Sequence, residues 1–289
     1  MDGDKALIVI LPDLILPYRV NQTLTEYGVD TLNEALDKQH FKTYPYNVLY
    51  QYNSRGFRDS EWPADAADAA DAIWCVGDSF TTGMGNCYEH IWTQQLQVKA
   101  QHRTINVSLD GASNDWIAEQ TNKIIQQAQP KNIVIMWSFF HRRQIDCTSL
   151  IDKTQFCDGR STHAEDFGHF YKLCTGLDNS KTNIIHLLIP KAFYYYDCDV
   201  DVEWNKIKGP DWPLTLTDNI SGLPDFIINE LVQADCYNKL QSMLKYATLP
   251  KKIKNYIGEV KQLDYARDGL HFGKETSNKL VDLILPLLH

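Results

Sequence analysis

From residue 71 onward, short and almost wholly apolar runs alternate with amphipathic stretches, and this alternation limits the chain to few architectures. Ala72–Val76, Thr104–Leu109, Asn132–Ser138 and Asn183–Ile189 each read as a strand. Runs without a polar face belong in a sheet covered on both sides. Between them, Tyr88–Lys99 and Asn114–Gln127 read as helices, the second with Ile117, Thr121, Ile124 and Ile125 on one face. Phe226–Leu244 and Lys274–Leu288 also read as helices. The pattern predicts βαβ units and an α/β fold. The expected form is a three-layer α/β/α sandwich around a central, flavodoxin-like parallel sheet of about five strands.

Two regions stand outside the alternation. Residues 1–70 are rich in Tyr, Asn and Pro and lead into the low-complexity link Ala64–Ala72. They are expected to form an N-terminal extension packed on a core domain spanning 71–289. Residues 190–224 form an irregular insertion carrying Phe193–Tyr196, Trp204 and Trp212. A connection of this length is expected to serve as a cap or binding loop. Its aromatic residues suit either a stacking platform for a sugar ring or the insertion's own core.

Composition removes several functions. A chain of 289 residues, 44% hydrophobic, can bury a sizeable core, and its net charge of −9 argues against binding nucleic acid along its phosphates. Seven cysteines without a C-x-x-C pair form neither a metal-ligand set nor a complete disulfide framework, and reduced thiols are expected. Asp197, Asp199 and Asp201 open like a calcium loop, but Val202 and Lys208 stand where glycine and glutamate are required. No complete phosphate-binding glycine motif occurs. Neither a metal nor an organic cofactor is therefore expected. The start, Met1–Ala6, is acidic, unlike a secretion signal, and the apolar run Ala6–Leu16 is broken by Pro12 and Asp13. A membrane-spanning helix needs ~20 apolar residues. A soluble protein, cytoplasmic or carried in a virion, with no membrane partner is the expectation.

The first strand ends in Gly77-Asp78-Ser79-Phe80-Thr81-Thr82-Gly83, which places a serine among small residues at the carboxyl end of a parallel sheet. Ligands bind at that edge in open α/β sheets. A serine hydroxyl is a weak nucleophile unless a base removes its proton and a third group orients the base. Among nine histidines, His271 is the best placed, three residues after Asp268 with Gly269 allowing a tight turn. A helix beginning near Ser79 would also turn backbone N–H groups toward a developing oxyanion.

Together these stretches resemble the SGNH/GDSL hydrolase superfamily. "GDSFTTG" is similar to its nucleophile block, "INVSLDGASND" (105–115) to its second block and "DGLH" to its last. The resemblance covers roughly residues 71–289 and implies an ester hydrolase with Ser79 as nucleophile, His271 as base and Asp268 as its orienting acid. It implies an oxyanion hole formed by the N–H groups of Ser79 and Gly111. The family's third block supplies an asparagine donor, and "VIMWSFFHRR" (134–143) contains none. Asn114 is a candidate replacement and is also placed to cap the helix that follows; Ser138 or a backbone N–H is another.

Asp78, Arg58, Ser138, His141 and Arg142 are candidates for lining the substrate site. Arg58, in "YNSRGFRD" (52–59), is placed either to hold a polar substrate group or to anchor the extension. The implied substrate is a small-molecule or glycan ester carrying a short acyl group such as O-acetyl. The same triad would serve an O-acyltransferase, and the altered third block would suit a carbohydrate-binding module without catalysis.

Overall fold

The computed structural model describes residues 11–25, 42–140, 142–143, 163–177, 181–190, 253 and 255–289. The expected helix at Phe226–Leu244 and the aromatic insertion from 191 to 224 lie outside these residues.

Five parallel strands form the central sheet: β3 (Ile73–Gly77), β4 (Thr104–Ser108), β5 (Asn132–Trp137), β6 (Asn183–Leu188) and β7 (Tyr256–Glu259). Their spatial order is β4-β3-β5-β6-β7. Every residue of β3, β4, β5 and β6 is buried, as the lack of alternation in their sequences requires. Two further strands, β1 (Thr23–Leu24) and β2 (Tyr50–Gln51), pair antiparallel outside this sheet.

The helices among the described residues are α1 (Ala66–Asp71), α2 (Ser79–Thr82), α3 (Trp92–Ala100), α4 (Asn114–Gln127), α5 (His163–Gly176) and α6 (Lys274–Ile284). The last α-helical turn of α6 passes into a 3-10 turn at Leu285–Leu287. Helices α3 and α6 pack together in one layer, and α4 and α5 in the other, so the sheet is the middle of three layers. None of the described helices is long and apolar enough to cross a membrane.

From β3 the chain moves outward to β4, then crosses back over β3 to β5. The reversal opens a crevice between the carboxyl ends of β3 and β5, the usual ligand position in such sheets. Gly77 pairs with Ser108 on one side and Met136 on the other, so the segments after all three strands emerge together.

The opposite edge is closed by asparagines. Asn183 Nδ2 donates to Asn132 Oδ1 (2.8 Å) and to the Leu287 carbonyl (2.7 Å), while its Oδ1 accepts from Asn255 Nδ2 (2.5 Å). Asn132 in turn donates to the carbonyl of His289 and accepts from its N–H, both at 3.1 Å. These bonds fasten the C-terminus across the starts of β5 and β6.

The N-terminal residues share the main core: Leu11, Leu14, Leu16 and Phe57 lie in one cluster with Trp74, Val76 and Ile105. Phe57 stacks on Trp62 at 5.0 Å, and Trp62 meets Trp74 edge-on at 5.4 Å.

Replacing Asn183 with alanine strips partners from Asn132, Asn255 and the Leu287 carbonyl at once. Urea denaturation should show a loss of roughly 1–3 kcal/mol, the cost of leaving buried polar groups unpaired.

Candidate active site

The nucleophile turn is set by two residues that precede the serine. A Cβ on Gly77 would run into the Thr81 hydroxyl and stand 2.9 Å from the Met136 carbonyl, so only glycine lets β3 and α2 come this close. Asp78 follows in extended conformation and caps α2, its Oδ1 accepting from Phe80 N–H at 3.0 Å. Ser79 is therefore the first residue of a one-turn helix at the end of a buried strand. The Ser79 N–H has no hydrogen-bond partner among the described residues, nor has that of Gly111, which lies in the loop after β4. That loop is tied to the turn by Leu109 N–H donating to the Gly77 carbonyl at 3.2 Å.

His271 sits in a closed loop between β7 and α6. Ala266 N–H donates to the His271 carbonyl (2.8 Å) and Gly269 N–H to the Ala266 carbonyl (2.9 Å). The base of the loop is fastened by Asp264, whose carboxylate accepts from Glu275 N–H (3.0 Å) and Thr276 N–H (2.8 Å). Asp264 thus caps α6 from outside the helix, since the residue at the cap position, Gly273, has no side chain to do so.

The two segments meet. Ser79 Oγ lies 2.8 Å from His271 Nε2, and His271 Nδ1 lies 2.6 Å from Asp268 Oδ2. The other Asp268 oxygen accepts the N–H groups of Leu270 (2.9 Å) and His271 (3.0 Å), which fixes the carboxylate. The His271 ring packs at 4.7 Å against Phe80, which also contacts Phe272 at 4.8 Å. An ionised carboxylate can only accept, so Nδ1 carries the proton it donates to Asp268. In the neutral imidazole, Nε2 is then the bare nitrogen that accepts from the serine hydroxyl.

Electrostatics reinforce this arrangement. Burial opposes a charged imidazole, but the hydrogen bond and charge of Asp268, with Asp78 and Asp110 nearby, outweigh it and raise the pKa of His271 above 6.5. Burial likewise pushes Asp268 upward, but its bonds to His271 and the two backbone donors hold it below the ordinary carboxylate range. Asp78 goes the other way: complete burial raises it despite Arg142, Ser138 and the Phe80 N–H.

The other residues singled out from the sequence fall into different places. Asp78 and Ser138 are fully buried and bonded to each other, Ser138 Oγ donating to Asp78 Oδ2 at 2.7 Å across the β3–β5 crevice. Arg142 reaches the same pair, with Nη1 at 3.4 Å from Asp78 and 3.2 Å from Ser138 Oγ, and its side chain is 15% exposed. Asn114 is not the helix cap. Ser113 takes that position, its hydroxyl accepting from Trp116 N–H at 3.2 Å, and Asn114 is the first helical residue. Asn114 Oδ1 accepts from Ser138 N–H (2.9 Å), and its amide donates to the carbonyls of Phe139 (2.9 Å) and Ser138 (3.4 Å). The Asn114 amide thus donates into the loop after β5.

Arg58, placed by its sequence either to hold a polar substrate group or to anchor the extension, is 1% exposed and bonded to backbone carbonyls, as an anchor would be. His141 lies outside the described residues. Sequence reading passed over the loop 83–86, which touches both halves of the site. A Cβ on Gly85 would stand 3.0 Å from Asp268 Cγ and from Ala266 Cβ. The Gly85 carbonyl accepts Arg267 N–H at 3.2 Å, and Asn86 Nδ2 donates to the Phe272 carbonyl at 2.5 Å. The glycine pair in "GMG" was the available signal.

No family model and no curated protein matches this chain. Similar solved structures include the psychrotrophic esterase EstA of Pseudoalteromonas sp., 12% identical, with a TM-score of 0.38 over 75% of this chain and 96% of that one. A family two carbohydrate esterase from Clostridium thermocellum, in complex with cellohexaose, is 13% identical, with a TM-score of 0.39 over 75% of this chain and 62% of its own. A member of the lipolytic protein G-D-S-L family from Veillonella parvula is 14% identical, with a TM-score of 0.36 over 75% and 98% of the two chains.

The charge balance at His271 is open to direct measurement. An NMR titration of its ring should give a midpoint above 6.5. Replacing Asp268 with alanine leaves burial as the leading influence, and the midpoint should fall.

Proposed function

We propose that the chain is a serine ester hydrolase of the SGNH/GDSL type. The observation that carries this reading is the unbroken line from Ser79 through His271 to Asp268, with each contact at hydrogen-bond distance. The resemblance of the three sequence blocks supports it. The geometry fits acyl transfer to a hydroxyl nucleophile.

In this mechanism Ser79 Oγ attacks the ester carbonyl carbon while His271 Nε2 takes the hydroxyl proton. The carbonyl π electrons move onto oxygen, and the resulting oxyanion is met by the N–H groups of Ser79 and Gly111. Asp268 holds the ring in its tautomer and stabilises the imidazolium. The tetrahedral intermediate collapses by breaking the bond to the alcohol oxygen, which leaves with the proton from His271. Water then adds to the acyl-enzyme with His271 again as base, releasing a carboxylic acid and restoring Ser79. We assign Asp78, Ser138 and Asn114 to the support of this site, binding the end of β5 to the nucleophile turn. Short acyl esters, with O-acetyl on a carbohydrate foremost, are the substrate class that the resemblance favours.

Hydrolysis of p-nitrophenyl esters of increasing chain length tests the proposal. Acetate should turn over faster than octanoate, and Ser79→Ala or His271→Gln should each lower kcat by at least about 10⁴-fold, as expected when one member of a coupled triad is removed. Equal turnover by wild type and Ser79→Ala would defeat the assignment. The base works only as neutral imidazole, so kcat/KM should rise with pH through the elevated His271 pKa. Half-maximal activity therefore belongs above pH 6.5.

A further inference from the structure

Arg58 is wholly buried, and among the described residues no carboxylate lies within ion-pair distance of it. Four backbone carbonyls surround its guanidinium. Nη1 donates to Thr82 O (3.2 Å) and Gly83 O (2.6 Å), and Nη2 to Leu49 O (3.2 Å) and Asn86 O (2.6 Å). The cation also lies 4.4 Å from the centre of the Tyr50 ring. Burying a charge without an opposite charge is costly unless its donors are satisfied. Here four hydrogen bonds to the two terminal nitrogens and an aromatic face compensate it, while Nε is buried without a partner among the described residues.

The accepting carbonyls show what this arrangement holds. Thr82 O and Gly83 O lie at the C-terminal end of α2, the one-turn helix that begins with Ser79. Such orphan carbonyls favour a cation. Asn86 belongs to the loop that touches the base, since its side chain donates to the carbonyl of Phe272, next to His271. Between them, Gly85 N–H donates to the Tyr50 hydroxyl at 2.8 Å, while the Gly85 carbonyl accepts from Arg267, next to Asp268. The far end of Arg267 returns to the Tyr46 carbonyl. Residues 46–58 therefore grip a loop that is bonded to both the serine helix and the histidine loop.

We propose that Arg58 is a positioning residue whose planar fork, assisted by the Tyr50 hydroxyl, holds Ser79 at bonding distance from His271. This rests on the esterase reading given above. A lysine places a compact charge where the fork spans two pairs of carbonyls, so it restores the charge without the geometry. Residues 46–58 are then part of the catalytic apparatus, although every reacting group lies after residue 71.

The test compares wild type, Arg58→Lys, Tyr50→Phe and Ser79→Ala on p-nitrophenyl acetate, with the folded fraction of each measured by circular dichroism. Arg58→Lys should lower kcat per folded molecule by about 10²-fold, the usual cost of an ångström-scale misplacement of a reacting group. KM should stay within about twofold, because ground-state binding is untouched, and labelling of Ser79 by an active-site phosphonate should slow in parallel with kcat. Tyr50→Phe keeps the ring against the cation and removes the hydroxyl that accepts from Gly85 N–H, so its kcat should fall by roughly threefold to tenfold. Should Arg58→Lys fail to fold, Tyr50→Phe decides. Reduced melting temperature with unchanged kcat and labelling rate in the folded variants would overturn the proposal, leaving Arg58 a stability residue. A rise in KM alone would also overturn it, making Arg58 a substrate contact. Wild-type turnover by Ser79→Ala would instead defeat the underlying esterase reading, and is distinguished by that variant alone.

Discussion

The hydrogen bond between Ser79 and His271 joins segments 192 residues apart, and the rest of the site is arranged to keep that distance short. One end is fixed by β3, where Gly77 lets the strand turn directly into α2. The other is fixed by a loop closed on itself and anchored to α6 through Asp264. Neither end holds the other by main-chain pairing within the sheet. The loop 83–86 supplies the link, meeting the acid loop at Gly85 and the residue after His271 through Asn86.

Two buried aspartates flank the serine in sequence or space, and their surroundings separate their roles. Asp268 accepts two backbone N–H groups and the imidazole, so its ionised form is favoured even inside the protein. Asp78 has a weaker ion pair at 3.4 Å and one strong hydroxyl donor, and burial dominates. The first carboxyl is suited to holding a cationic ring. The second is suited to structure: it caps α2 and bridges the crevice to Ser138, which Asn114 secures in turn. Environment, not residue type, assigns the two positions.

Much of the sheet was legible in the sequence because strands buried on both faces cannot hide their apolar character. The readings of β3, β4, β5 and β6 differ from the structure by about one residue at their ends, where hydrogen bonding decides what hydropathy does not. The helix read at Tyr88–Lys99 divides at Ile91, which is extended between a 3-10 turn and α3. The serine, histidine and aspartate were legible because each stands in a short motif that turn geometry constrains. Partners chosen by the fold were not legible. Ser113 and Asn114 are both sound caps by residue type, and only the approach of the loop after β5 assigns one to the helix and the other to Ser138. For Arg58 the sequence left an anchor and a ligand contact both open, because its partners include carbonyls 24 to 28 residues further along, where no local pattern reports them.

The central claim is that His271 makes Ser79 a nucleophile. The most direct measurement is peptide-level mass spectrometry after treatment with a fluorophosphonate ester, which reacts only with an activated hydroxyl. We expect one adduct, on the peptide containing Ser79, and none in His271→Gln protein that remains folded. Absence of the adduct from the wild-type protein, or its persistence at the same rate without the imidazole, would contradict the account.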